Sequence, residues 1–364
     1  MLRWLGRWGL ALALGACSSP PVSRPDLGPL PDRGPPPVDD PRCGCATGLH
    51  NSFIFALSDQ AELWTYDPLT DRFEFQVGPA CGTALTPYSM AIDPKGNAFI
   101  LDVPSRRMQV LDVNALGPCE DSGFVPTVRE IPLFGMSFVL EDVETQCAGL
   151  FGQSYDGEGR FEEGDAIGRL VAIEGDPLRM RILGATDFNG GELAGTGDGR
   201  LFAFAGSRPA KLVEYDRTDA TVRSVLELPG VSQTNASAFA FFGGDIFIFT
   251  EAEPAECRLC FERECAEAYA ACQADEVCAE DLACALERGS ISDDCGGLTG
   301  EEMHDCIPRC AEACRAPRAR RSQVLRVDWD RSEGPEPSVT RVVDEAPIRV
   351  VGAASSPCVP VILD

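Results

Sequence analysis

Histidine and lysine are nearly absent. The 364 residues include two His, His50 and His304, and two Lys, Lys95 and Lys211. Two distant histidines do not furnish a Ser-His-Asp triad, a Cys-His pair or a multi-His metal centre. Positive charge is scarce as well: 31 Lys and Arg stand against 57 Asp and Glu, a net charge of −26. That excludes a basic patch for nucleic-acid phosphates or for anionic lipid. Neither a Walker loop nor a Rossmann glycine fingerprint occurs, and no apolar run is long enough to cross a bilayer as a helix. No catalytic residue, cofactor site or metal site is therefore assigned. Cysteine, by contrast, is plentiful: 17 Cys belong in an oxidising compartment. A hydrophobic fraction of 44% supports a folded core rather than wholesale disorder.

Residues 1–16 place Arg3 and Arg7 before a short apolar stretch, Leu10 to Leu14. This is the layout of a signal peptide. It ends in Leu14-Gly15-Ala16-Cys17, which resembles the lipobox of bacterial lipoproteins. The resemblance implies cleavage before Cys17 and acylation of its thiol, anchoring the protein in a membrane; an ordinary secretory signal is the competing reading. Loss of Arg3 and Arg7 would take the net charge to −28. Ser18 stands where Asp, in enteric lipoproteins, favours the inner membrane, so the resemblance implies the outer membrane. Residues 18–42 hold nine Pro in 25 positions, and with lipidated Cys17 they form an extended tether over 17–42.

From Asn51 onward, short apolar runs alternate with Gly, Asp and Pro turns, the pattern of many short antiparallel strands. Apolar runs closing on an acid recur, with the acids at Asp67, Asp112, Glu174, Asp216 and Asp328. The intervals are 45, 62, 42 and 112, and the last falls to 48 once a 64-residue segment, 255–318, is set aside. A period near 45 made of about four strands predicts a β-propeller, all-β and five-bladed; an irregular β-sandwich is the rival. The blades are expected at about 51–78, 88–132, 135–184, 190–229 and 236–345, with the propeller divided into 43–254 and 319–364 around the insertion. Blade 1 lacks an innermost strand, and Ile348–Ala354 is expected to supply it, closing the ring and removing an open edge.

Phrases such as Gly191 to Phe202, Ala238 to Asp245 and Val350 to Cys358 resemble those of predicted outer-membrane lipoproteins of myxobacteria. That family has no assigned activity, so the resemblance implies fold and location and no reaction. The inserted segment departs from it. Its ten Cys are Cys257, Cys260, Cys265, Cys272, Cys278, Cys284, Cys295, Cys306, Cys310 and Cys314, and fifteen acids against six Arg give it a charge of −9. The segment reads as a small helical module, roughly 257–287 then 301–315, that needs covalent staples because its core is too small. Its Cys spacing resembles modules in other exported proteins of these bacteria. Zinc is the rival reading of Cys257-x-x-Cys260 near His304, but the second CxxC is missing. The six remaining Cys, Cys43, Cys45, Cys81, Cys119, Cys147 and Cys358, are also even in number, so each set can pair within itself. Cys358 follows the closing strand and is expected to pair with Cys43 or Cys45.

The acidic run 155–166 accounts for the 62-residue interval. It is either a Ca²⁺ loop, with Arg160 and Phe161 in the wrong places for ligands, or a solvated acidic loop. The run and the insertion both fall between the second and third strands of their blades, so both are expected on one face. That face would carry a negative field and bind a protein or glycan partner. Glycan hydrolysis is the alternative. It needs two convergent carboxylates, yet among the expected starts of the inner strands, Ser89, Ser137, Glu192, Ala236 and Ala354, only Glu192 is acidic. Glu192 is expected to be a solvated rim residue or a hydrogen-bond partner on an inner strand.

Overall fold

The computed structural model describes residues 43–82, 85–157, 161–206, 209–234, 236–252, 321–329 and 338–361, together with parts of 255–310. The signal peptide, Cys17 and the tether lie outside the described residues. Blade 1 contributes β1 (Ile54–Ser58), β2 (Leu63–Asp67) and β3 (Arg72–Val77). Blade 2 has β4 (Pro87–Ile92), β5 (Asn97–Asp102), β6 (Met108–Asp112) and the short β7 (Glu120–Asp121). Blade 3 is longer, with β8 (Leu133–Asp142), β9 (Cys147–Tyr155), β10 (Glu162–Glu174) and β11 (Arg179–Asn189). Blade 4 has β12 (Glu192–Gly195), β13 (Leu201–Ala205), β14 (Ala210–Tyr215) and β15 (Val222–Leu228). Blade 5 has β16 (Ser237–Phe242), β17 (Asp245–Glu251), β18 (Ser322–Val327) and β19 (Val339–Val343). The last strand, β20 (Val350–Ala354), joins blade 1 as its innermost strand.

The result is five four-stranded antiparallel sheets, a five-bladed β-propeller closed by the C-terminal strand. Phe55, Ala56 and Leu57 pair with Ala354, Ala353 and Gly352 across the closure. The strand chemistry follows radial position. Inner and middle strands are sandwiched between neighbouring blades, so they are continuous apolar runs; all five residues of β1 and of β13 are buried. Outer strands face water on one side and are mostly exposed, as in β3 and β15. Aromatic rings fill the wedges between blades, Tyr66 of blade 1 meeting Phe247 and Phe249 of blade 5 at 5.8 and 5.6 Å.

The insertion opens with α1 (Ala255–Glu264) and α2 (Ala266–Gln273). The expected continuous helix from 257 is therefore broken at Cys265, whose φ of −146° is not helical and whose sulfur is bound to Cys306. Cys260 pairs with Cys310 and Cys272 with Cys278, around a small core of Phe261, Tyr269 and Leu282. With Cys260 in a disulfide, the Cys257-x-x-Cys260 zinc half-site does not form. The side chain of Cys257 and residues Cys284, Cys295, His304 and Cys314 lie outside the described residues. Among the described residues no helix is long and apolar enough to cross a membrane.

Candidate functional site

The strand order gives the ring two unlike faces. Innermost strands begin on one face, here the upper, and end on the lower. Connections between second and third strands therefore lie on the upper face, and those between first and second strands on the lower.

Both chain ends of the propeller gather on the lower face. Cys43 is bonded to Cys147, at the turn between β8 and β9, and Cys45 to Cys358. The pairing partner of Cys358 is thus Cys45. Cys81–Cys119 ties the entry of blade 2 to that blade's outer edge. Ala46 N–H donates to the Pro94 carbonyl at 2.9 Å, and buried His50 sits 3.2 Å from the Asn114 side-chain oxygen. The segment after β20 runs beneath the ring. Ser355 donates to the Phe241 carbonyl in blade 5 at 2.5 Å. The sulfur of Cys358 lies 3.9 Å from the Pro94 carbonyl in blade 2. The carbonyls of Pro357 and Val359 press on Gly197 in blade 4. Ser356 and Val359 are buried. This plug crosses the lower mouth of the central channel. Its sequence has no strand periodicity, and Cys358 was the only sign of it.

The upper mouth stays open as a cup of about 230 Å³. Its floor is made where the inner strands come closest. A Cβ on Gly135 would lie 2.1 Å from the Gly191 carbonyl oxygen, and one on Gly195 would lie 2.2 Å from that of Phe138. Only glycine allows β8 and β12 to run this close. Ser89 of β4 donates to Glu192 Oε2 at 2.6 Å and accepts from the Met136 N–H at 3.1 Å, so one hydroxyl ties blades 2, 3 and 4. Ser137 accepts from the Gly195 N–H at 2.9 Å. Glu192 is thus a buried hydrogen-bond partner, 6% exposed, and not a solvated rim residue. Burial holds its carboxyl well above the usual carboxylate range; the Ser89 hydrogen bond opposes this without overcoming it.

Above the floor, Tyr88 stacks on Tyr155 at 6.0 Å, and Tyr155 meets Phe161 at 5.4 Å. Burial, with Glu192 and Tyr155 nearby, pushes the Tyr88 phenol upward, so it stays protonated. Arg349, beside the closing strand, donates to Glu251 at 2.7 Å and to Asp59 at 3.4 Å. The amide oxygen of Gln233 is buried with no hydrogen-bond partner among the described residues.

The acidic run is not wholly a loop. β10 begins at Glu162, and the register of β10 against β11 shifts between Glu163 and Gly168. Glu163 is engaged by Lys211 of blade 4 at 2.5 Å instead of converging on a cation site. Phe161, out of place as a Ca²⁺ ligand, lines the cup. Residues 158–160 lie outside the described residues. The run joins β9 to β10 and the insertion joins β17 to β18, each a connection of second to third strand. Both emerge on the upper face, as their spacing in the sequence predicts.

The raised Glu192 carboxyl is expected to make stability pH-dependent. A pKa raised by folding leaves the wild type at full stability below the unfolded value of ~4.3 and removes stability as pH rises toward the folded value. Glu192→Gln keeps an acceptor for Ser89 and has no proton to lose. It is expected to match the wild type near pH 4 and to exceed it at pH 7.5, each unit of pKa separation contributing about 1.4 kcal/mol. Urea midpoints at the two pH values measure this; a difference independent of pH would contradict the buried neutral acid.

No family model matches the chain, and neither does any curated protein. Similar solved structures include a gluconolactonase candidate, at 13% identity over 58% of this chain and 72% of that one, TM-score 0.37. A luciferin-regenerating enzyme follows at 10% identity over 57% and 83%, TM-score 0.34. The quinone-bound aldose sugar dehydrogenase of Streptomyces coelicolor follows at 11% over 53% and 69%, TM-score 0.33. Likeness of this degree carries no argument about reaction or ligand, and the architecture rests on the chain's own strand order.

Proposed function

We propose that the protein is a lipoprotein of the bacterial outer membrane, anchored through acylated Cys17, whose propeller is a binding or scaffold module offering its upper face to a protein or glycan partner. The observation that carries this reading is the division of labour between the faces. Cys43, where the tether meets the propeller, is stapled to the lower face. The cup, the acidic run and the connection that carries the insertion lie on the opposite, upper face. Recognition concentrates on expanded loops held by a rigid scaffold. Asp156, Glu162 and an insertion of net charge −9 suit a partner with a basic surface, whose association slows as salt screens the attraction.

Cys17→Ser is expected to move the protein from the membrane to the soluble fraction, because the thiol is the acylation site. Continued integral behaviour on fractionation would end the lipoprotein reading. Asp156→Asn with Glu162→Gln should weaken capture of envelope partners without moving the protein from the membrane.

A glycan-active hydrolase or lyase is the second reading. It is favoured by the neutral Glu192, the state that a general acid requires. Its weakness is the partner carboxylate, since Asp59 at the cup is held by Arg349. Glycan cleavage abolished by Glu192→Gln would establish it.

A further inference from the structure

We propose that the upper cup is a binding site for one neutral, polyhydroxylated ring of monosaccharide size. This deepens the reading of the upper face as a recognition surface and names the chemistry taken at its centre.

Size comes first. At about 230 Å³ the cup is smaller than the ~300–1,000 Å³ of pockets for drug-sized ligands, so its ligand is compact. The lower plug makes it a blind site rather than a passage.

Position around the ring divides the wall into two chemistries. Val351 of blade 1, Tyr88 of blade 2 and Phe161 of blade 3 form an apolar arc. The aromatic part of that arc is fixed by the Tyr88–Tyr155–Phe161 ring contacts. Glu192 of blade 4, Gln233 before blade 5 and Arg349 before the closing strand form a polar arc. A sugar ring has the matching two characters, a C–H face for the apolar arc and hydroxyls for the polar one.

Hydrogen-bonding capacity is unspent on the polar side. The Ser89 hydroxyl is bonded to Glu192 Oε2, and no hydrogen bond to Oε1 is made among the described residues. The Gln233 amide oxygen has no partner among the described residues. Arg349 has five N–H donors and directs two atoms at carboxylates. A hydroxyl, which both donates and accepts, satisfies each of these groups.

Charge selects a neutral ligand. Arg349, the cation of the cup, is already shared by Glu251 and Asp59, so an anionic ligand would have to displace one of them. A cationic ligand would have to displace Arg349 from Asp59, the ionised carboxylate of the cup, or meet Glu192 where burial opposes its ionisation.

The test is ligand-observed saturation-transfer NMR and titration on the full-length protein in detergent. The probes are methyl hexopyranosides and methyl N-acetylhexosaminides, with glucuronate and glucosamine as charged comparators. Neutral glycosides are expected to saturate with a Kd on the order of 1 mM and to bind at least ~10-fold more tightly than either charged probe. Val351→Trp fills the cup from the inner strand, and Phe161→Ala removes one aromatic wall from a loop. Each should weaken binding ~10-fold or more. Val143→Trp, on an exposed lower-face turn, should leave it unchanged. The proposal is overturned if no neutral glycoside saturates, if a charged probe binds as tightly, or if both cup variants bind as the wild type does. Loss of the sugar site would leave the acidic-rim interaction untouched, because that is read separately by capture with Asp156→Asn and Glu162→Gln.

Discussion

Replacing Cys45 and Cys358 together by serine is expected to lower the stability of the propeller by roughly 2–5 kcal/mol, the range for removing a native disulfide. These residues are 313 positions apart, so the bond joins the two ends of the propeller and restrains almost the whole unfolded chain. Cys43–Cys147 shortens the loop that the bond effectively closes, which keeps the expectation below the limit set by sequence separation alone. The folded state loses something as well. The Cys45 bond holds the plug under the channel, and the plug follows directly on β20. Without it the closure rests on the pairing of β20 with β1 and on the ion pairs of Arg349. Opening there exposes β1 as an unpaired edge. Denaturant unfolding should therefore show a lower midpoint and greater aggregation in the transition. Cys272→Ser with Cys278→Ser, which removes a bond spanning six positions within the insertion, should leave the propeller transition in place. A double Cys45/Cys358 variant that unfolds like the wild type would show that strand pairing alone closes the ring.

Gly135→Ala is expected to cost about 3 kcal/mol or more, at or beyond the upper end of overpacking by a small group. The added carbon would sit 2.1 Å from the Gly191 carbonyl oxygen and 2.6 Å from the Glu192 Cα. Both are backbone atoms, so no side chain can swing away. β8 and β12 would have to separate, and Gly195, against Phe138 in the middle of β8, shows that the close approach continues along β12. Separation also breaks the Ser89–Glu192 and Ser137–Gly195 bonds that join the inner strands. Both stability and the shape of the cup floor should suffer. Gly117→Ala, with nothing within 4 Å of the new carbon, is the matched control and should be near neutral. Equal midpoints for Gly135→Ala and Gly117→Ala would refute the close approach of the inner strands.

The architecture was legible in the chain because its signals are local. Alternation of short apolar runs with turns marks strands, and their recurrence near 45 residues marks blades. The one blade short of a strand and the one spare strand at the C-terminus imply each other. The side on which each expansion emerges follows from counting strands. An even division of cysteines likewise foretold that the insertion and the propeller would pair separately, as the described disulfides do.

The site was legible only in part. Glu192 was noticeable as the acid at the start of an inner strand, but its surroundings were not. Its partner Ser89 is 103 positions away and two blades round the ring, and only closure of the ring brings them to 2.6 Å. Phe161 looked like a defect in an acidic loop until the fold set it beside Tyr155. The choice between Cys43 and Cys45 depended on which of two residues, one apart in sequence, faced the end of the chain. The plug had no periodicity because it makes no sheet; it is held by isolated contacts to three blades. Local chemistry in this sequence determined strands, blade number, closure and the even distribution of its cysteines. Burial, charge state and the meeting of distant side chains were decided by the tertiary structure alone, because each depends on what the rest of the chain places within a few ångströms.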